Sequence, residues 1–287
     1  GEGLFISFLH DKAVYTTALD MDGKQLWQTK ITDYTLHQGY GSSPAIYEDL
    51  VIVSADNKKG GAVCGLNRKD GKIVWRQDRP KMPNYPSPII LTAAGKDQLV
   101  LTGCEKIVSY DPLTGNVNWE TEGATTECVT STVTDGKHVY TSGGYPKNHV
   151  SAIAADGSGK LVWENKSRVY VPSRYIRDGY LYGMMDAGVL VCWNSATGER
   201  LWRQRMGQPF TATPVPVGDL VYAASEMGNF YVVKATHKGG EIIAENQLGN
   251  QIYATPVIVN SQIFVRVAHD EDDDRRVEKL YCLEKKD

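Results

Sequence analysis

Aromatic side chains recur at one place along this sequence, and they are its best candidates for chemistry. Tyr40, Tyr170 and Phe210 each stand four residues before a Ser/Thr-Pro position or its equivalent, and Tyr85 and Tyr253 stand three before it. His37, Gln38, Glu127 and Arg174 lie at or near the same place. Rings gathered with a few polar groups in a concavity form the usual binding surface for small molecules and peptides. The same rings also serve as wedges between packed sheets. From residue types alone, both readings stand.

Other chemistry finds no support. The six histidines, His10, His37, His138, His149, His237 and His269, show no metal-ligand spacing. In the acidic run Asp270-Glu-Asp-Asp-Asp274, three aspartates fall in calcium-loop register. Arg275 then occupies the place where such a loop needs Gly, and no Glu closes it. A solvated loop is expected there. Tyr40-Gly41-Ser42-Ser43-Pro44 precedes a strand pattern, whereas a phosphate cradle needs a helix N-terminus. No Gly-x-Ser-x-Gly elbow is present. The five cysteines, Cys64, Cys104, Cys128, Cys192 and Cys282, form no Cys-x-x-Cys and cannot all pair, so they read as small buried hydrophobes. Net charge is −3 with a pI near 6.1, which argues against a nucleic-acid footprint. No apolar run reaches the roughly 18 residues of a membrane-spanning helix. The stretch Leu4–Leu9 is too short for an export signal.

The elements that would position these residues come from a repeat. A Gly, three residues and a Trp recur as Gly23–Trp27, Gly71–Trp75, Gly115–Trp119, Gly159–Trp163 and Gly198–Trp202. Gly240–Ala244 is a sixth copy without its Trp. Successive copies lie 39 to 48 residues apart. In phase with them, Ser43-Pro44, Ser87-Pro88, Thr213-Pro214 and Thr255-Pro256 open apolar runs, with Thr132 and Arg174 at the Pro position in two other units. Each unit reads as four short strands; in the second they are 44–47, 50–55, 62–67 and 72–77. Four antiparallel strands per repeat define the blade of a β-propeller. The tryptophans then lie on outermost strands and pack between blades. Trp193, out of phase on a third strand, belongs to the core. Cys192 and Cys282 share a repeat position two blades apart, far beyond the ~7 Å that a disulfide spans.

Ala18-Leu-Asp-Met-Asp-Gly-Lys-Gln-Leu-Trp27 and Cys192-Trp-Asn-Ser-Ala-Thr-Gly-Glu-Arg-Leu-Trp202 resemble the PQQ-like β-propeller repeat family over essentially the whole chain. That family includes the outer-membrane barrel-assembly lipoproteins and the quinoprotein alcohol dehydrogenases. The resemblance implies an all-β fold: one propeller domain over 1–287 with about seven four-stranded blades, the first and last incomplete. A longer natural protein, truncated here at its N-terminus, would reach eight. Unpaired strand edges on incomplete blades would favour an edge-mediated oligomer.

The quinoprotein members carry an adjacent Cys-Cys pair beneath the quinone, which this sequence lacks. Their Ca²⁺ ligands and Asp base find no matching positions. The chain is therefore expected to hold neither PQQ nor Ca²⁺ and not to be an enzyme. The resemblance implies instead an extracytoplasmic (periplasmic or secreted) platform that binds a protein, peptide or saccharide through the funnel residues. A PQQ-dependent oxidoreductase is the alternative.

Overall fold

The computed structural model describes residues 3–271 and 275–284. Its strands fall into two compact units, Gly1–Glu164 and Asn165–Asp287.

Four antiparallel sheets begin in the first unit. The first holds β1 (Leu4–His10), β2 (Ala13–Leu19) and β3 (Gln25–Asp33). The second holds β4 (Ala45–Tyr47), β5 (Leu50–Ser54), β6 (Gly61–Asn67) and β7 (Ile73–Arg79). The third holds β8 (Ile89–Ala93), β9 (Lys96–Gly103), β10 (Lys106–Tyr110) and β11 (Val117–Glu122). The fourth holds β12 (Val133–Thr134), β13 (His138–Gly143), β14 (His149–Ala154) and β15 (Leu161–Asn165).

The second unit holds three more. They are β16 (Arg174–Arg177), β17 (Tyr180–Met185), β18 (Val189–Asn194) and β19 (Arg200–Arg205); β20 (Val215–Val217), β21 (Leu220–Ala224), β22 (Asn229–Thr236) and β23 (Gly239–Gln247); and β24 (Val257–Val259), β25 (Gln262–Asp270) and β26 (Arg276–Glu284). Each sheet is a meander in chain order. The fold class is an all-β propeller of seven blades, the first and last three-stranded, as the repeat predicts. Asp272–Asp274, at the centre of the acidic run, lie outside the described residues.

Blade cores form where adjacent sheets face each other, and the strand patterns explain why. β5 is buried on both faces, so it reads as a continuous apolar run instead of alternating. Val51 and Val53 pack with Val14, Trp27 and Ile31 of the first blade, while Leu50 and Ile52 pack with Leu99, Leu101 and Val108 of the third. The third and fourth blades meet through Val100, Ile107, Trp119, Val139 and Ile153. In the second unit, Tyr182, Met184 and Leu190 meet Val221 and Tyr231, and Phe230 meets Val265 and Val267. Trp193 is 1% exposed, as its position on a third strand implies.

The repeated Gly and Trp form a lock between neighbours. Trp27 Nε1 donates to the Arg68 carbonyl at 3.0 Å, Trp75 Nε1 to Pro112 at 3.1 Å and Trp202 Nε1 to Thr236 at 2.7 Å, each in the outer hairpin of the next blade. A Cβ on a glycine of that hairpin would strike the indole: Gly71 at 2.6 Å from Trp27, Gly115 at 2.5 Å from Trp75, and Gly240, at the start of β23, at 2.8 Å from Trp202. Within its own blade each Trp faces a residue small enough to leave room, Ala18, Gly65, Ser109 or Cys192, beside a β-bulge. Trp119 departs from the pattern: its indole donates at 2.9 Å to Gln98 of its own blade, and a Cβ on Gly159 would stand 3.5 Å from its ring.

The lock is testable at one glycine. Gly115 has φ +72 and the Trp75 ring against its missing side chain. Gly115→Ala therefore combines left-handed backbone cost with overpacking, and about 2–4 kcal/mol of stability is lost in urea unfolding. Gly136→Ala, at φ +86 with nothing within 4 Å, loses only the backbone part, about 1–2 kcal/mol.

Candidate functional site

Four of the six connections between blades end in the Ser/Thr-Pro signature, with Thr132 and Arg174 at the proline position in the other two, and these loops share a second link. The Ser43 amide donates to Ser87 Oγ at 2.9 Å, Ser173 to Thr213 Oγ1 at 3.0 Å, and Thr213 to Thr255 Oγ1 at 3.1 Å. At Pro88, Pro214 and Pro256 the hydroxyl before the proline thus receives the amide of the preceding blade's counterpart. The sequence pattern flagged these residues as strand openers and missed the link, because its partners lie about one repeat apart.

In the first unit the connecting loops bring together three groups from the aromatic and polar set. His37 Nδ1 lies 3.0 Å from Tyr85 Oη and 3.6 Å from Glu127 Oε1. They come from the loops preceding β4, β8 and β12. His37 and Gln38 are exposed, Tyr85 is half-buried, and Glu127 is 8% exposed. Glu127 also forms a β-bridge with Tyr145, whose side chain is 55% exposed. Tyr40 turns inward instead. Its hydroxyl donates to the Ser54 carbonyl at 3.0 Å, its ring meets Tyr34 edge-on at 5.9 Å, and burial pushes its pKa up to about 12.

A buried polar cluster underlies these loops. Arg79 and Asp56, each with a side chain 3% exposed, form a two-pronged pair, Nε–Oδ1 3.0 Å and Nη2–Oδ2 2.9 Å. Burial works against the Arg79 charge, but the Asp56 carboxylate outweighs it and holds the guanidinium pKa above its ordinary value. Arg79 Nη1 also donates to Tyr110 Oη at 3.2 Å. Asn84 joins the cluster to the surface: its Nδ2 contacts Cys104 Sγ at 2.9 Å, and its Oδ1 accepts the Cys128 amide at 2.8 Å. The Tyr85 amide in turn donates to the Cys128 carbonyl at 3.0 Å. Asn84 and Cys128 face the cluster, while their neighbours Tyr85 and Glu127 carry the surface site.

The second unit places its candidates separately. The Tyr170 amide donates to Asp186 Oδ2 at 2.9 Å, and the Arg168 guanidinium lies 5.3 Å over its half-buried ring. Tyr253 is 45% exposed, with Arg276 5.7 Å from its ring. Phe210 and Arg174 require correction as funnel groups. Phe210 is 1% exposed and packs on Tyr231 at 5.8 Å, so its ring is a wedge in the core. Arg174, 3% exposed on β16, lies opposite Gly183, whose missing side chain leaves room for it.

All five cysteines are free thiols. Cys64, Cys104, Cys128 and Cys192 are buried; Cys282, on β26, is exposed, contrary to its expected burial. Cys104 and Cys128 lie off the strands, in a turn and a connecting loop. Among the described residues, no three His, Cys, Asp or Glu side chains come together to hold a metal ion. No helix among the described residues is long and apolar enough to cross a membrane. Asp56, the buried carboxylate of the first unit's cluster, is committed to Arg79.

Fold and site together define a propeller of PQQ-like repeats with a polar, aromatic loop end. The chain belongs to the family described as outer membrane protein assembly factor BamB, whose model matches residues 10–146 and 146–239. It is similar in structure to BamB from Moraxella catarrhalis, at TM-score 0.72 and 17% identity over 98% of this chain and 82% of that one. A europium-containing methanol dehydrogenase aligns at TM-score 0.68 and 13% identity, over 92% and 73% of the two chains. A quinohemoprotein alcohol dehydrogenase from Pseudomonas putida HK5 aligns at 0.63 and 13%, over 93% and 61%. At such identities these likenesses show a shared fold. No curated protein matches the sequence significantly.

Two outcomes follow from this geometry. Burial pushes the thiols of Cys64 and Cys192 up to about 11 and that of Cys104 up to about 12. A thiol reagent at pH 8 therefore titrates one cysteine, Cys282, in the native protein and all five after denaturation. Asp56→Ala strands the Arg79 charge and costs about 3–5 kcal/mol in urea unfolding, most of which Arg79→Met added to it restores.

Proposed function

We propose that the chain is a non-catalytic binding platform that works outside the cytoplasm and engages an extended protein segment through the loop end bearing His37, Tyr85 and Glu127. The observation that carries this reading is the way the site is built. Hydrogen-bonding and aromatic groups from three connecting loops meet at the surface, and the buried Asp56–Arg79 cluster, through Asn84, supports the loops of Tyr85 and Glu127. A site fixed in advance in this way loses little freedom when a partner binds. Membership of a family named for outer-membrane protein assembly supports both the location and a protein partner. The oxidoreductase reading draws support from the shared fold alone, and activity belongs to sites and not to folds.

Two measurements test the proposal. Thermal unfolding with PQQ and Ca²⁺ is expected to show no shift. A ligand at ~100 times its dissociation constant adds about 2.7 kcal/mol, so a rise of several degrees overturns the platform reading in favour of the oxidoreductase. Short fluorescent Gly/Ser peptides carrying arginines, glutamates or no charge form the second probe. At least one class is expected to bind, and His37→Ala or Tyr85→Phe weakens it about fivefold, as loss of a hydrogen bond of about 1 kcal/mol implies. Failure of every class to bind overturns the reading.

A further inference from the structure

The outer strands β3, β7, β11, β15, β19 and β23 differ in how their cations are neutralised. β3 and β7 pair every lysine and arginine they carry: Lys30 with Asp33 at 2.7 Å, Arg76 with Asp78 at 3.3 Å and the buried Arg79 with Asp56. β11, β15 and β23 carry none. β19 reads Arg-Leu-Trp-Arg-Gln-Arg, and its Arg200, Arg203 and Arg205 are all exposed. Among the described residues, none of these arginines enters an ion pair or a side-chain hydrogen bond.

A β-bulge sets the guanidinium groups in one row. In the β18–β19 ladder Arg205 stands opposite Val189 and Arg203 opposite Val191; the register then shifts, and Arg200 stands opposite Trp193. These partners are alternate residues of β18, so the extra residue, Leu201, keeps Arg200 on the face that Arg203 and Arg205 share. In an unbulged strand, the odd spacing would turn Arg200 to the other side. The row repeats at roughly 7 Å, twice the rise of a strand. Trp202 and Gln204 point to the opposite face, where they meet Gly240 of the next blade, so the row is separate from the indole lock. β19 is also the last strand of its sheet, and its outer edge has no strand partner.

Cations at strand period beside the unpaired backbone of an open edge match another extended chain with carboxylates at alternate residues. Laid along the edge, such a chain places each carboxylate at cross-strand distance from a guanidinium, which donates two hydrogen bonds to it. A basic segment would meet like charges. A nucleic acid offers phosphates but no backbone amides to the edge, and the chain's net charge of −3 opposes it over the remaining surface.

We propose that β19 is a docking edge for an acidic, extended segment of a partner protein, which adds as a further strand with its alternate carboxylates on Arg200, Arg203 and Arg205. This edge is distinct from the loop site around His37 and does not depend on it.

The test is fluorescence anisotropy on the intact chain with a labelled threonine peptide in which every second residue is glutamate. A copy with glutamine in place of glutamate is expected to bind about tenfold more weakly, and the glutamate peptide to lose affinity as salt rises. An isomer with consecutive glutamates binds less tightly, because only alternate side chains reach the row. Arg203→Gln/Arg205→Gln removes about tenfold from the glutamate peptide, Arg203→Lys/Arg205→Lys keeps most of its affinity, and His37→Ala leaves it unchanged. Matching melting curves exclude a folding defect in variants whose side chains hold no partner. Failure of the glutamate peptide to bind, equal binding of the glutamine copy, or binding that survives Arg203→Gln/Arg205→Gln overturns the docking edge. Equal displacement by a single-stranded oligonucleotide of the same charge also overturns it, since the row is then a general anion surface. Loss of glutamate-peptide binding in His37→Ala overturns the edge assignment and leaves the loop-end reading standing.

Discussion

The structure depends on a flat indole lying against a backbone that has no side chain. Trp27 against Gly71, Trp75 against Gly115 and Trp202 against Gly240 set how close one blade comes to the next. The contact works because glycine supplies two things at once: a left-handed turn at Gly71 and Gly115, which other residues adopt at a cost, and a bare surface for the ring. The indole nitrogen then ties into the same hairpin, so hydrophobic burial and one oriented hydrogen bond act on a single spacing. The valine and leucine cores between the sheets fill the space that this spacing defines.

The amide-to-hydroxyl links Ser43–Ser87 and Ser173–Thr213 join two of the same pairs of neighbours, second with third and fifth with sixth, elsewhere along the blades. A blade joined to its neighbour at two separated places has little freedom to rock. Within the first unit this rigidity reaches the loops, because Asn84 connects the Asp56–Arg79 pair to the backbone that carries Tyr85 and Glu127. Positioning therefore passes from packing, through one buried ion pair, to exposed side chains.

The blades were legible in the sequence because their determinants are local and repeated. A Gly four residues before a Trp, a Ser/Thr before a Pro and short apolar runs all recur in phase. The site was legible in part. Tyr85 and Tyr253, three residues before the proline position, keep exposed surface, whereas of those four before it Phe210 is buried, Tyr40 is largely enclosed and Tyr170 is half-buried under Arg168. One residue of offset along an extended chain turns a side chain to the opposite face, and the repeat frame treated the two offsets as one. Asp56 and Arg79 escaped notice because their pairing across 23 residues depends on blade geometry and leaves no short motif. Cys282 was misjudged through its shared position with Cys192, which lies opposite Trp202 of β19, while β26 is the outer strand of a three-stranded blade.

The glycine turns join the third and fourth strands of a blade, at the end opposite the hairpins that carry Asp56 and Cys104. Architecture and recognition are thus written into opposite ends of the same short meander. Residues that decide whether blades fit together are not those that meet a partner, so loop-end substitutions leave the indole contacts untouched. A lineage could redraw the surface around His37 or Tyr85 many times over while inheriting the scaffold unchanged. That separation gives a physical reason why one repeat can serve an assembly factor and a methanol dehydrogenase alike.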